Sequence, residues 1–235
     1  MKNFAFDLYG TLIDIQTDED DPAFREGISR EFFALCGGEC DFWKDYKALC
    51  APPPGDMYYE PDLLLVFSAL AKKCGAGLGR RQLEEFAYRF RIASRKKLCL
   101  YPEVDKMLCA LKESGAKIYL LSNAQACFTN REMEELSLTK YFDGICLSSD
   151  AGVKKPSERF FNLLLKKFGL EREDTVYTGN DYYSDVLGAK GVGLYSAYIR
   201  TYNEAPLDEV KRVADFVAED FKTLKEKLIT LAKER

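Results

Sequence analysis

The chain has 235 residues, enough for one good core or for a core with a small second domain. With 47% hydrophobic and 31% charged residues and a formal charge of −4, it reads as a soluble globular protein with no basic footprint for nucleic acid and no polybasic membrane signal. It contains no histidine, which removes Ser-His and Cys-His mechanisms and His-ligated metals, so carboxylates, lysine or tyrosine must carry any chemistry.

The first predicted element is a short buried strand, Phe4 to Phe6, which Met1 enters with no signal peptide ahead of it. Asp7 follows at once, and Gly10 breaks the run. An Asp at the C-terminal end of such a strand is costly unless it faces a crevice, and in open α/β sheets that edge is where ligands bind. An isolated Asp-x-x-Gly also reads as a turn that caps the next helix.

From Asp14 to about Lys97 apolar residues recur at helical spacing: Phe24, Ile28, Phe32 and Leu35; Phe42, Tyr46 and Leu49; Leu63 to Leu70; then Leu83, Phe86, Phe90 and Ile92. Pro52-Pro53-Pro54-Gly55 and the Gly-rich 74–79 separate these runs, and no clear strand falls among them. The segment predicts an all-helical insertion of about four helices, with the simpler alternative that these helices merely cover a sheet. The longest apolar patch, Leu63 to Leu70, is far too short to span a membrane.

Alternation of strands and helices resumes at Tyr101. A helix is expected over Pro102 to Ser114, a strand over Lys117 to Ser122, and a helix around Arg131 to Leu136. Further strands are expected at Gly144 to Leu147, Thr175 to Thr178, Leu194 to Ile199 and Asp215 to Val217, with helices at Glu158 to Phe168, from Val186, and at the C-terminus. The pattern predicts an α/β protein with a doubly wound parallel sheet. The crossings near Asp14 to Thr17 and Lys97 to Tyr101 would be hinges. The eight cysteines are scattered, which fits reduced thiols in the cytoplasm, and Cys36-x-x-x-Cys40 lacks a second pair at zinc spacing.

Polar residues mark the ends of several strands: Asp7, Ser122-Asn123 and Gly179-Asn180-Asp181, with Lys155-Pro156 on the loop after the Gly144 strand. In a parallel sheet these ends line one edge, so they converge. In this order and spacing they resemble the motifs of the haloacid dehalogenase superfamily, of the helical-cap type, whose first motif here is Asp7-Leu8-Tyr9-Gly10-Thr11. The resemblance implies a Rossmann-like core over 1–14 and 98–235 and a mobile helical cap over 15–97, inserted after the first strand. It implies a nucleophilic carboxylate at Asp7 and a covalent aspartyl intermediate. Ser122 would donate to a substrate oxygen, with Asn123 sharing the role and Thr11 beside it, and Lys155, rather than Lys154, would offset negative charge. Ser122, Asp181 and Asp185 also have a plainer reading as helix caps.

Two departures matter. Tyr9 stands where the phosphatases of the superfamily carry a second Asp, as it does in the 2-haloacid dehalogenases, and a phenol is a poor acid near neutrality. Asn180 stands where an Asp commonly follows the glycine of the acidic motif, with Asp181 next. Asp7, Asp181 and Asp185 around Lys155 would leave excess negative charge, which calls for a Mg²⁺ held by Asp7, the Tyr9 carbonyl, Asp181 and Asp185, with Asn180 as an accessory. Three readings follow: Mg²⁺-dependent hydrolysis of a small-molecule phosphate, metal-independent dehalogenation of a short 2-haloacid, or a binding protein that kept the fold. Arg25, Arg30 and Arg89 are candidates to hold a haloacid carboxylate. The expected partner is a small molecule, with neither nucleic acid nor membrane.

Overall fold

The computed structural model describes residues 1–202 and 205–234. Strand β1 (Asn3–Phe6) lies at the centre of a six-stranded parallel sheet. The chain then makes β2 (Ile13–Thr17) and four helices, α1 (Pro22–Cys36), α2 (Phe42–Cys50), α3 (Leu63–Lys73) and α4 (Arg80–Ser94), and returns through β3 (Arg95–Leu100). From there α5 (Val104–Glu113), β4 (Lys117–Ser122), α6 (Ala126–Glu135), β5 (Gly144–Leu147) and the single turn α7 (Ser148–Ala151) build one side of the sheet. The other side follows with α8 (Glu158–Phe168), β6 (Thr175–Gly179), a π-helical turn at Tyr182–Leu187, α9 (Gly188–Gly191), β7 (Tyr195–Ile199), α10 (Leu207–Val213), β8 (Phe216–Ala218) and α11 (Phe221–Lys233).

The strand order is β5-β4-β1-β6-β7-β8, so the winding reverses at β1. In register, Phe6 lies between Leu120 of β4 and Thr178 of β6. Their C-terminal ends therefore open onto one crevice. Alternation sets the two faces. Phe4 and Phe6 join Ile118, Leu120 and Val176 against α5 and α11, while Ala5, Tyr119, Leu121 and Tyr177 face Phe160, Phe161 and Leu164 of α8.

The helices α1 to α4 close around an apolar cluster of their own, built on Phe32, Phe42, Phe67, Phe86 and Phe90. Asp21, Asp41 and Asp62 cap α1, α2 and α3 through their side chains. The expectation of a purely helical segment is corrected at its ends. β2 and β3 pair antiparallel, Ile13 with Leu100 and Ile15 with Leu98, so a two-stranded ribbon carries the chain in and out at the crossings expected as hinges. Its partners lie 78 to 87 residues apart, so no local pattern reveals the pairing. α6 also begins earlier than expected, because Ala126 N–H finds Ser149 Oγ at 2.9 Å and Phe128 turns into the helical cluster. Among the described residues no helix is long and apolar enough to cross a membrane. All eight cysteines are free, and Cys40 meets Cys74, not Cys36, at 2.8 Å between sulfurs.

Candidate active site

Asp7 N–H donates to Thr178 O at 2.9 Å, continuing the β1–β6 ladder one residue beyond Phe6. The carboxylate lies in a cavity of ≈190 Å³ at the sheet edge, which Ser122, Lys155, Asn180, Asp181 and Asp185 also line. Three donors hold it. Oδ1 accepts from Lys155 Nζ at 2.7 Å and from Ser122 Oγ at 3.0 Å, and Oδ2 accepts from Thr11 Oγ1 at 3.0 Å. Asp7, Ser122, Thr11 and Lys155, four of the expected residues, thus meet within hydrogen-bond distance.

Lys155 is positioned from both sides. Asn123 clamps its backbone, accepting from Lys155 N–H at 2.7 Å and donating to Lys155 O at 3.1 Å, and the Lys155–Pro156 peptide is cis. The ammonium donates to Asp7, to Asp185 Oδ1 at 2.6 Å and to the Tyr177 hydroxyl at 2.8 Å. Burial pulls the lysine pKa down, but the charges of Asp185 and Asp7 reverse this and leave it above the ordinary value. Burial pushes Asp185 up, Lys155 pulls it back and Asp7 adds to the rise, which leaves it at about 6.

Asp185 is held by the sheet edge around it. Its Oδ1 faces Lys155, and its Oδ2 accepts from the backbone amides of Asn180 and Asp181 at 3.1 and 3.0 Å. Gly179 permits this packing, since a Cβ there would lie 2.2 Å from Asp185 Cγ. Asn180 is likewise engaged: its Oδ1 accepts from Thr11 at 3.2 Å and its Nδ2 donates to Thr201 at 3.0 Å. Asp181 accepts from Ser184 N–H at 2.6 Å. Gly10, at φ +82°, brings the Asp7 loop against the Asn180 amide and the Tyr202 hydroxyl, where a Cβ would lie 2.7 and 2.9 Å away.

Lys155 bridges Asp7 and Asp185 directly, and Asp181 lines the same cavity, so three carboxylates face one ammonium there. Among the described residues no cluster of three or more His, Cys, Asp or Glu could hold a metal ion. Asp7, Tyr9, Asp181 and Asp185, the residues expected to hold Mg²⁺, all line the one small cavity, and the carboxylates of Asp7 and Asp181 are hard oxygen donors of the kind that fit this ion. Such an ion commonly takes one or two carboxylates and keeps several waters.

The side chain of Tyr9 points towards α6. Its hydroxyl donates to Glu132 Oε2 and meets Thr129 Oγ1 at 3.0 Å. Burial and the Glu132 charge raise its pKa above the ordinary phenol value, so it stays neutral. Arg25, Arg30 and Arg89 do not reach the cavity; they pair with Asp20, Glu26 and Glu31. Lys154 donates its backbone N–H to Tyr58 O at 2.9 Å.

Two residues were missed by sequence reasoning. Tyr177, fully buried in β6, accepts from Lys155 and lies 3.0 Å from both Leu121 O and Asp185 Oδ1. A tyrosine rather than a phenylalanine in a buried strand was the available signal, since its hydroxyl needs a partner. Glu132 was the other: it follows Phe128 by four residues on the buried face of α6, where a charge demands a counterion.

A family model described as haloacid dehalogenase-like hydrolase matches residues 1–193. A glyceraldehyde 3-phosphate phosphatase of Pyrococcus furiosus is 31% identical over 54% of this chain and 53% of its own length, so the chain spans about half of that relative. A phosphoglycolate phosphatase of Vibrio cholerae is 30% identical over 99% of both chains. Two solved structures share the fold: a HAD phosphatase from Thermococcus onnurineus, at TM-score 0.64 and 22% identity over 97% of this chain and 98% of its own, and a 2-haloacid dehalogenase from Pseudomonas syringae, at 0.64 and 19% over 98% and 99%. The family match takes in the sheet edge from Asp7 to Asp185, and with it the chain belongs to the haloacid dehalogenase-like hydrolases.

Proposed function

We propose that the protein hydrolyses small phosphate monoesters through Asp7. The observation that carries this is the buried Asp7 carboxylate, fixed by Lys155, Ser122 and Thr11 inside the ≈190 Å³ cavity. That volume is below the roughly 300–1,000 Å³ of pockets for drug-sized ligands, which favours a short carbon chain on the phosphate. The names of the relatives, phosphatases of glyceraldehyde 3-phosphate and of phosphoglycolate, support the same size class.

In this reading an Asp7 oxygen attacks phosphorus and the ester P–O bond breaks, which leaves an acyl phosphate on Asp7 and an alkoxide that takes a proton from water and departs as the alcohol. Water then attacks that phosphorus, the Asp7 O–P bond breaks, and phosphate and a free carboxylate result. Lys155 and Ser122 offset the charge on the transferring group. Asp7 and Asp181 are the residues that would hold a Mg²⁺, which when bound supplies positive charge to the phosphate. Tyr9 is a neutral phenol bonded to Glu132, so substrates whose alcohol leaves readily are favoured. The four helices serve as a cap over 15–97 on a core of 1–14 and 98–235, and the free cysteines fit a reducing cytoplasm.

A second reading, dehalogenation of a 2-haloacid, is favoured by that same Tyr9, because a halide leaves without a proton. A panel of two- and three-carbon phosphates and of 2-haloacids, run with Mg²⁺ and with chelator on wild type and Asp7→Asn, separates the two. Phosphate release that needs Mg²⁺ and Asp7 supports the first; halide release in chelator supports the second and defeats the first.

A further inference from the structure

The seam between the helical unit and the sheet holds a buried ion-pair network that the reaction does not use. Glu132 on α6 is 1% exposed. Its Oε1 accepts from Arg91 Nε at 2.8 Å and lies 3.7 Å from an Arg95 nitrogen, while its Oε2 accepts from the Tyr9 hydroxyl. Arg91 belongs to α4 and Arg95 opens β3, where the chain leaves the helical unit; Tyr9 lies two residues from Asp7 on the loop after β1. The Arg91 guanidinium sits between two rings, 5.4 Å from the Tyr9 centroid and 5.2 Å from that of Phe128.

One carboxylate therefore joins three pieces of chain that are far apart in sequence. A buried charge with its partners in place is tolerated, but removing one partner leaves an uncompensated charge, a penalty the fold relieves by letting water in. Glu132 itself is shut off from the ≈640 Å³ cavity between α3, α4 and α6, so water reaches its carboxylate only if Arg91 and Arg95 draw back from α6. Arg91 cannot follow Glu132 into solvent without leaving both rings, so the contacts form and break together. The Tyr9 bond brings the Asp7 loop into the same event.

We propose that Glu132 is a positioning residue that holds the helical unit closed against α6 and, through the Tyr9 phenol, registers that closure at the loop carrying Asp7. The role of that loop rests on the reading of Asp7 as nucleophile, yet closure can be measured without turnover. Cys127, next to Phe128, is half-buried at the seam, where it lines the ≈640 Å³ cavity with residues of α3 and α4, and burial pushes its thiol up to about 12. Cys146 lies in the sheet core, away from the seam, and Cys109 is exposed.

The test is the rate at which a thiol reagent modifies each cysteine of the full chain, read peptide by peptide by mass spectrometry. Glu132→Gln keeps the shape and an oxygen for Tyr9 but loses the charge that faces Arg91. It should speed modification of Cys127 about tenfold or more and leave Cys146 at its wild-type rate, with Cys109 fast in both. Arg91→Met should reproduce this, and Arg89→Met, which removes an exposed arginine two positions away, should not. An unchanged Cys127 rate in Glu132→Gln and Arg91→Met overturns the proposal. So does a parallel rise at Cys127 and Cys146, which marks general loosening. A chain that released no phosphate would still give this readout, so the two readings fail separately.

Discussion

At the scale of single residues, the site is a set of shared partners. Lys155 serves Asp7, Asp185 and Tyr177 at once, and this sharing lets two carboxylates sit together in a buried edge. Asp7→Asn should lower phosphate release by about 10³-fold or more, with an unfolding midpoint near wild type, because the amide keeps its place beside Ser122 and Thr11. Turnover near the wild-type level would end the covalent reading. Tyr177→Phe tests the residue the sequence hid. It removes the hydroxyl between Lys155, Asp185 and Leu121 O, and should cost about 1–3 kcal/mol in urea unfolding while slowing turnover. Asp7, Ser122 and Lys155 were legible because each ends a strand or precedes a proline in a fixed order. Tyr177 was not, because a tyrosine inside a strand reads as core until its hydroxyl is seen to have partners. The acidic motif was legible as residue type and spacing, whereas the partners of Asp185, two backbone amides and Lys155, lie in the folded chain alone.

At the scale of elements, the strands of the sheet and α8 stood where period and turn signals put them, since each buries an apolar face that the sequence displays. The β2–β3 ribbon escaped because its stability lies in pairing across the whole inserted segment. A quieter joint holds β4 to β5. Asp143 Oδ2 accepts from Ile118 N–H at 2.9 Å and Lys112 Nζ at 2.8 Å, Oδ1 accepts from Lys117 Nζ at 3.0 Å, and Asp143 N–H returns a bond to Ile118 O at 2.7 Å. Burial alone would raise this carboxyl, but Lys112, the Ile118 amide and Lys117 together bring it down to about 2. A group depressed in the folded state stabilises it above the unfolded pKa, and that contribution disappears as pH falls through the folded value. Asp143 should therefore contribute about 1–2 kcal/mol above pH ~4, lost progressively towards pH ~2, the lower figure allowing for solvent around the lysines. Asp143→Asn should flatten the fall of the urea midpoint across that window. A slope identical to wild type would show that the joint carries no charge-dependent stability.

At the scale of the whole molecule, the question is whether the helical unit and the sheet unfold as one. Each has its own apolar cluster, yet Phe128 of α6, 5% exposed, is packed into the cluster of the helices. Its ring stacks on Phe90 with centroids 6.0 Å apart and planes 6° from parallel. Phe128→Ala should therefore take about 3–5 kcal/mol from the contact between the two units, while the sheet core and its helices α5, α8 and α11 lose nothing directly. Trp43, the single tryptophan, sits in α2 and reports on the helical unit alone, whereas far-UV circular dichroism reports on every helix. In wild type the fluorescence and dichroism transitions in urea should coincide, as expected when one event carries both clusters. In Phe128→Ala the fluorescence midpoint should fall below the dichroism midpoint, with a smaller slope for the first step because only part of the surface is exposed in it. Transitions that stay coincident in the variant would mean that the ribbon and the ion pairs of Glu132 couple the two units without Phe128.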